Sequence, residues 1–222
     1  MGAGTLSRSD ILRRGDILGV ILAGGQSRRF GSDKAAAQLG GSRLIERVAA
    51  KASRQTAALV VSGRDYGLGL PVIPDTVPGQ GPLIGVLSAL EWAKATGFSA
   101  LATFSCDAPF FPPDLVARLA EGVRSGKACS VVRSGGLRHP IFAVWRTSAL
   151  DRLRHACDAG IRALKAAQDE VEAAEVSFPT GPGPGGDMFF NINSRDDLLP
   201  ARTWLAEQGA RDLHRLGQSA VG

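Results

Sequence analysis

The chain has 222 residues, enough for one large domain whose core needs no disulfide or metal staple. Hydrophobic residues make up 44% and charged residues 21%, and the net charge of +5 permits an anionic partner without identifying one. Three cysteines (Cys106, Cys129, Cys157) without a CxxC pair argue against a disulfide framework or a zinc site and point to a cytosolic protein.

In chain order, residues 1–16 carry Arg8, Asp10, Arg13, Arg14 and Asp16, so they hold no signal-peptide core and read as a flexible extension. An apolar strand over 18–23 runs into a glycine turn, and a helical pattern follows over 42–53. Strand-type runs fall at 57–62 and 70–73, and Gly81-Pro82 opens a helix over 82–95. The uncharged stretch 95–106 is too short to cross a bilayer; it contains a buried-type strand, 99–105, that ends at Cys106-Asp107. Pro112-Pro113-Asp114 opens a helix over 112–124. Strands at 128–132 and 140–145, helices at 147–155 and 160–169 and a strand at 173–177 complete the alternation. The run Gly181-Pro182-Gly183-Pro184-Gly185-Gly186 is a loop, and a last helix spans 195–207. This order predicts one three-layer α/β domain over 17–207 with a mostly parallel sheet, followed by a tail over 208–222.

The glycine turn belongs to LAGGQSRRFGSDK (22–34), which is neither a dinucleotide fingerprint nor a Walker A loop. Gly24-Gly25 lacks the GxGxxG pattern, and five residues, not four, separate Gly25 from Gly31, which no Lys-Ser/Thr follows. What remains is a strand, a turn whose amides can approach a phosphate, and the cations Arg28, Arg29 and Lys34. Asp107, at the end of its own strand, faces the crevice where open α/β sheets bind ligands, and its hard oxygens suit Mg²⁺. A nucleotide lying across the strand ends would touch both. Cys106 reads as a small buried neighbour, Asp114 as a helix-start residue, and His155 and His214 as surface helix positions.

Three elements, LAGGQSRRFGSDK (22–34), GPLIG (81–85) and CDAPFFP (106–112), occur with RHP (138–140) and NINSRDDL (191–198). In that order, over about 18–205, they resemble the molybdenum cofactor guanylyltransferases of the MobA type. The resemblance implies a nucleotide-binding Rossmann-like fold and transfer of GMP from GTP to the molybdopterin phosphate, with Mg²⁺ and release of pyrophosphate. It implies nucleotide contacts at Leu22, Ala23, Gly24, Gly25, Lys34, Asp75, Gly81, Pro82 and Asp107, with Asp107 also the metal ligand. Ser62 stands where relatives often carry a nucleotide-contacting Asn, and a hydroxyl offers fewer donors. Arg28, Lys34 and Asp107 are the expected catalytic groups; which of Arg28 and Arg29 meets phosphate stays open, because Phe30 replaces the usual Met. His139, Asn191 and Asn193 are implied on the pterin side. Protein partners would be molybdoenzyme apoproteins or chaperones, with neither nucleic acid nor membrane involved.

Other readings stand beside this one. The CTP-using branch tends to carry LAAG and TPLAG-like elements, whereas Gly24-Gly25 and Gly81-Pro82 favour guanine. A nucleotidyltransferase acting on a sugar or lipid phosphate would share the motifs. A non-catalytic nucleotide-binding relative would most readily lose Lys34 and Asp107, which are present. A nucleic-acid binder rests on the charge alone: no run of like charge exceeds two residues, and the few aromatics do not interleave with basic residues.

Overall fold

The computed structural model describes residues 12–24, 30, 33–74, 81–124 and 126–219, with side chains as far as 211. The elements run β1 (Ile17–Leu22), β2 (Gln38–Leu39), β3 (Ser42–Arg43), α1 (Leu44–Ala52), β4 (Ala58–Ser62), β5 (Val72–Ile73), α2 (Pro82–Ala95), β6 (Ala100–Ser105) and α3 (Leu115–Gly122). They continue with β7 (Cys129–Ser134), β8 (Leu137–Arg146), α4 (Leu150–Asp158), α5 (Leu164–Glu170), β9 (Ala174–Phe178) and α6 (Leu198–Ser219). Among the described residues no helix is long and apolar enough to cross a membrane.

Seven strands form one sheet in the order β5-β4-β1-β6-β8-β7-β9. Strands β5, β4, β1 and β6 are parallel, β8 runs antiparallel between β6 and β7, and β9 returns parallel to β7. Every residue of β1 and β6 is buried, as a sheet covered on both faces requires. Alternation then sorts the strand side chains between two cores. Ile17, Ile21, Val61 and Phe104 join the layer containing α1 and α3; Leu18, Val20, Val60 and Leu101 join the layer of α2, α4 and α5.

The predicted strands and helices are all present, with boundaries shifted by a few residues except at the end of the last helix. The differences have local causes. Pro112 and Pro113 precede α3 and do not form its first turn; Asp114 occupies the N-cap position but its side chain makes no capping bond. The strand expected at 140–145 begins at Leu137, because Gly135-Gly136 folds β7 directly onto β8. The last helix continues past 207 to Ser219. The two-residue strands β2 and β3, paired around Gly40-Gly41, are too short to leave an alternating pattern.

The topology fixes where a ligand goes. From β1 the chain moves outward on one side through β4 and β5, then crosses back to lay β6 on the other side of β1. The order reverses between β1 and β6, and the crevice beyond their carboxyl ends is the site such sheets offer a ligand.

Candidate active site

Strands β1 and β6 end level, with Leu22 paired to Ser105. Two residues on, Asp107 turns back over the strand end: the Ser105 hydroxyl donates to its Oδ1 at 2.5 Å. Across the crevice, Lys34 Nζ donates to Asp107 Oδ2 at 2.6 Å and to Asn193 Oδ1 at 2.9 Å. Lys34 and Asp107 side chains are only 18% and 11% exposed, so the ion pair is largely removed from water. An ammonium has three donors, and these contacts use two of them, leaving one direction for a phosphate oxygen.

Each partner is locally held. Asp33 accepts from the Ala35 amide at 3.0 Å, closing the turn that presents Lys34. Arg64 pairs with the same carboxylate, and the Tyr66 hydroxyl reaches it at 3.3 Å while also reaching the Ala23 carbonyl at 3.4 Å. The carbonyl of Asp107 accepts from the Ile192 amide at 3.0 Å, which ties the 191–193 segment to the end of β6.

Beneath these segments lies a satellite core of Phe30, Leu39, Leu44, Phe110, Ile192 and Ala201, with Trp204 edge-on to Phe110 at 5.0 Å. Phe30 comes from the glycine loop, Phe110 follows Asp107, and Ile192 separates the two asparagines. Apolar residues therefore alternate with the polar ones in the three segments that meet, and their burial joins the polar groups above.

The other strand ends build the opposite wall of the crevice. The Ala23 amide donates to the Ser62 carbonyl at 3.0 Å, and Ser62 pairs with Leu22 across β4 and β1. Gly81 caps α2 with Pro82 in the first turn, so the positive end of a 14-residue helix points into the crevice. A Cβ on Gly85 would lie 2.9 Å from Ser62 Oγ and 3.2 Å from Leu22 Cδ2, so this glycine lets α2 rest on the strand ends. Gly63 (φ +123) lies against the Ala23–Gly24 backbone, where a Cβ would come within 3.1 Å of the Gly24 nitrogen.

On the far side of β6, the antiparallel course of β8 carries His139 to the edge at which β6 ends. Its ring lies tilted against Phe189 with centroids 4.9 Å apart, and Phe189 packs on Phe142 and Phe178. Asn191 is half-buried beyond Ile192. Cys106 suits no nucleophilic role, since burial first and the Asp107 carboxylate second push its thiol up to about 12.

Lys34 thus contacts both Asp107 and Asn193, while Leu22, Ala23, Gly24, Ser62, Gly81 and Pro82 gather at the ends of β1 and β4 and the start of α2, and His139 and Asn191 lie on the β8 side. Gly25, Arg28, Arg29 and Asp75 lie outside the described residues. Sequence reasoning missed Ser105, Gly63, Gly85, Tyr66 and Asp197. Ser105 had a usable signal, a hydroxyl two residues before Asp107, and so did Asp197, three residues after Ser194; Gly63, Gly85 and Tyr66 depend on contacts far along the chain. Among the described residues no three His, Cys, Asp or Glu side chains converge as a self-sufficient metal cage. One carboxylate beside a lysine instead fits a divalent ion that takes most of its ligands from phosphate and water.

A model of the MobA-like NTP transferase domain matches residues 19–172. The chain is 42% identical over 198 residues to a molybdenum cofactor guanylyltransferase of Mesorhizobium japonicum, covering 85% of this chain and 95% of that one. A protein of the same name from Rhizobium leguminosarum bv. trifolii is 39% identical over 197 residues, covering 86% and 94%. The crystal structure of molybdopterin-guanine dinucleotide biosynthesis protein A from Archaeoglobus fulgidus superposes with a TM-score of 0.67 at 28% identity, covering 86% of this chain and 99% of that one. With a family match spanning β1 through α5, a shared fold and Lys34 meeting Asp107 at the switch point, the chain belongs to the MobA-like NTP transferase family.

Proposed function

We infer that the chain transfers GMP from GTP to the molybdopterin phosphate of molybdenum cofactor and releases pyrophosphate. The observation that carries this reading is the Lys34–Asp107 pair at the β1/β6 switch point, in a chain whose relatives bear the guanylyltransferase name. In the reaction a pterin phosphate oxygen forms a bond to the α-phosphorus of GTP, and the bond from that phosphorus to the β-phosphate bridging oxygen breaks. The nucleophile is already an anion, so it needs placement and relief of repulsion more than a general base.

Asp107 is the residue that would hold Mg²⁺, which when bound neutralises phosphate charge. Lys34, anchored by Asn193, offers its remaining N–H to a phosphate oxygen, where it offsets the charge that builds as pyrophosphate leaves. Leu22, Ala23, Gly24, Ser62 and the start of α2 seat the nucleotide, and Gly25, Arg28 and Asp75 complete that set by their place in the motifs. His139 and Asn191 face the pterin. The net charge of +5 suits two polyanionic substrates, and a cytosolic setting with molybdoenzyme apoproteins or their chaperones as recipients accords with three free cysteines.

The test is pyrophosphate release with each of the four nucleoside triphosphates, with and without molybdopterin-bound molybdenum. GTP-specific, acceptor-dependent release is expected. A preference for CTP would overturn the base assignment, and nucleotide binding without release in the presence of acceptor would overturn the enzymatic reading.

A further inference from the structure

Asp197 lies four residues beyond Asn193 and one before α6. Its Oδ2 accepts from the Ser194 amide at 2.8 Å and the Ser194 hydroxyl at 3.0 Å, and its own amide donates to Ser194 Oγ at 3.4 Å. That reciprocal pair has the hydrogen-bond pattern of a capping box and closes the turn from Ser194 to Asp197 that leads into α6. Capping leaves one contact unexplained. The same Oδ2 also accepts from the Asn193 amide at 2.8 Å, a residue that precedes the cap and contributes no group the helix needs satisfied.

The extra contact falls on the residue that holds Lys34. Ile192 is fixed from one side, its amide on the Asp107 carbonyl at 3.0 Å and its side chain fully buried. Asn193 and Ser194 are fixed from the other side by one carboxylate oxygen. Between the two anchors the Asn193 side chain is exposed, yet its Oδ1 meets Lys34 Nζ at 2.9 Å. Without the Asp197 anchor its backbone would be pinned only through Ile192, and the carbonyl oxygen that orients the ammonium would sample a wider arc. Placement errors of this kind are costly in a reaction that depends on in-line geometry.

We propose that Asp197 is a positioning residue for Lys34, acting through the backbone of Asn193, and that the start of α6 is therefore part of the active-site scaffold. This rests on the guanylyltransferase reading for its catalytic consequence, though not for the geometry itself. Asp197 touches neither Lys34 nor Asp107, so its influence must vanish when Asn193 can no longer pass it on.

The experiment is a double-mutant cycle on turnover with GTP and molybdopterin-bound molybdenum, combined with labelling of Lys34 in the unliganded protein. Asp197→Ala should lower kcat about tenfold in the wild-type background but less than twofold in the Asn193→Ala background. Ser194→Ala removes the hydroxyl part of the cap and keeps both amide contacts, so it should lower the unfolding midpoint while leaving kcat within twofold of wild type. Acylation of Lys34 by acetyl phosphate, followed by peptide mass mapping, should be several-fold faster in Asp197→Ala than in Ser194→Ala. Equal kcat losses for Asp197→Ala in both backgrounds, or equal Lys34 labelling in the two single variants, would overturn the proposal. If wild type releases no pyrophosphate, the functional reading fails while the labelling result still decides the positioning one. Should Asp197→Ala not fold, Asp197→Ser, whose hydroxyl is too short to reach the Asn193 amide, takes its place with the same ordering of effects.

Discussion

Lys34 and Asp107, 73 residues apart in the chain, are joined by a 2.6 Å ion pair that bridges the loop after β1 and the end of β6. The contact crosses the point where the strand order reverses, so an ion pair largely removed from water coincides with the position that topology reserves for ligand. Before substrate arrives, each group partly neutralises the other. In the proposed reaction the carboxylate would turn toward the cation, while the ammonium, still held by Asn193, would use its remaining N–H for phosphate.

Asp107→Ala removes the carboxylate proposed to hold the metal and leaves Lys34 anchored by Asn193 alone. Turnover should fall by roughly 10³-fold, about 4 kcal/mol at the transition state. Single-turnover pyrophosphate release with saturating GTP measures this, and turnover near the wild-type value would remove Asp107 from the metal role. Because Lys34 and Asp107 touch, the loss in the Lys34→Ala/Asp107→Ala double variant should be well short of the product of the single losses.

The strand ends and the chemistry beside them were readable because their signals are local. The apolar run before Gly24, the strand before Asp107 and the Gly81-Pro82 helix start each declare themselves within about ten residues. The Lys34–Asn193 contact spans 159 residues and leaves no trace in either neighbourhood. The same holds for the satellite core: Phe30, Phe110 and Ile192 each look like an ordinary apolar residue beside a polar motif, and only the fold makes them neighbours. The extension of α6 was hidden for another reason. Gly209 and Gly217 lower helix propensity across 208–219, and the helix forms despite them.

Gly85 separates intrinsic helix preference from site geometry. Alanine at an interior helix position is worth about 1 kcal/mol over glycine, which favours the Gly85→Ala variant. Against that stands a Cβ placed 2.9 Å from Ser62 Oγ and 3.2 Å from Leu22 Cδ2, which forces α2 away from the ends of β1 and β4. The two effects should nearly cancel in the unfolding midpoint, while the dissociation constant for GTP rises about tenfold, ~1.4 kcal/mol, because the helix terminus that faces phosphate has moved. Calorimetric titration with GTP checks this, and the Ser62→Gly/Gly85→Ala double variant should recover part of the affinity. Unchanged GTP affinity in Gly85→Ala would show that α2 is not part of the nucleotide seat.

Lys51 provides a pH test of stability outside the site. Burial lowers its ammonium from the usual 10.5 to about 8, with Nζ held 4.9 Å over the Phe111 ring. Between about 8 and 10.5 the unfolded chain binds more protons at this position than the folded one, so the wild-type protein gains stability as pH rises through that window. Lys51→Met keeps the volume and removes the charge. It should raise the urea midpoint at pH 7, and its advantage over wild type should shrink as pH climbs from about 8 to 10.5. An advantage that does not change with pH would place its origin in side-chain volume and not in desolvation.

Tyr66 is the only tyrosine of the chain, which makes its phenol directly observable. Burial is the first cause that raises it above the usual 10.0, with the Cys106 side second, while the nearby Arg64 works in the other direction. Its ultraviolet titration should therefore have a midpoint above 10.0. The hydroxyl reaches Ala23 and Asp33, the residues on either side of the glycine loop, at 3.4 and 3.3 Å. A single proton can serve only one of these acceptors at a time, so the net value is that of one hydrogen bond, about 1 kcal/mol. If closing the base of the loop contributes to phosphate binding, Tyr66→Phe should weaken GTP binding by about fivefold, ~1 kcal/mol, and shift the unfolding midpoint by only a few degrees because the ring stays in place. A variant that binds GTP as tightly as wild type would mean that the loop keeps its shape without the phenol, and that Asp33 is held by Arg64 and the Ala35 amide alone.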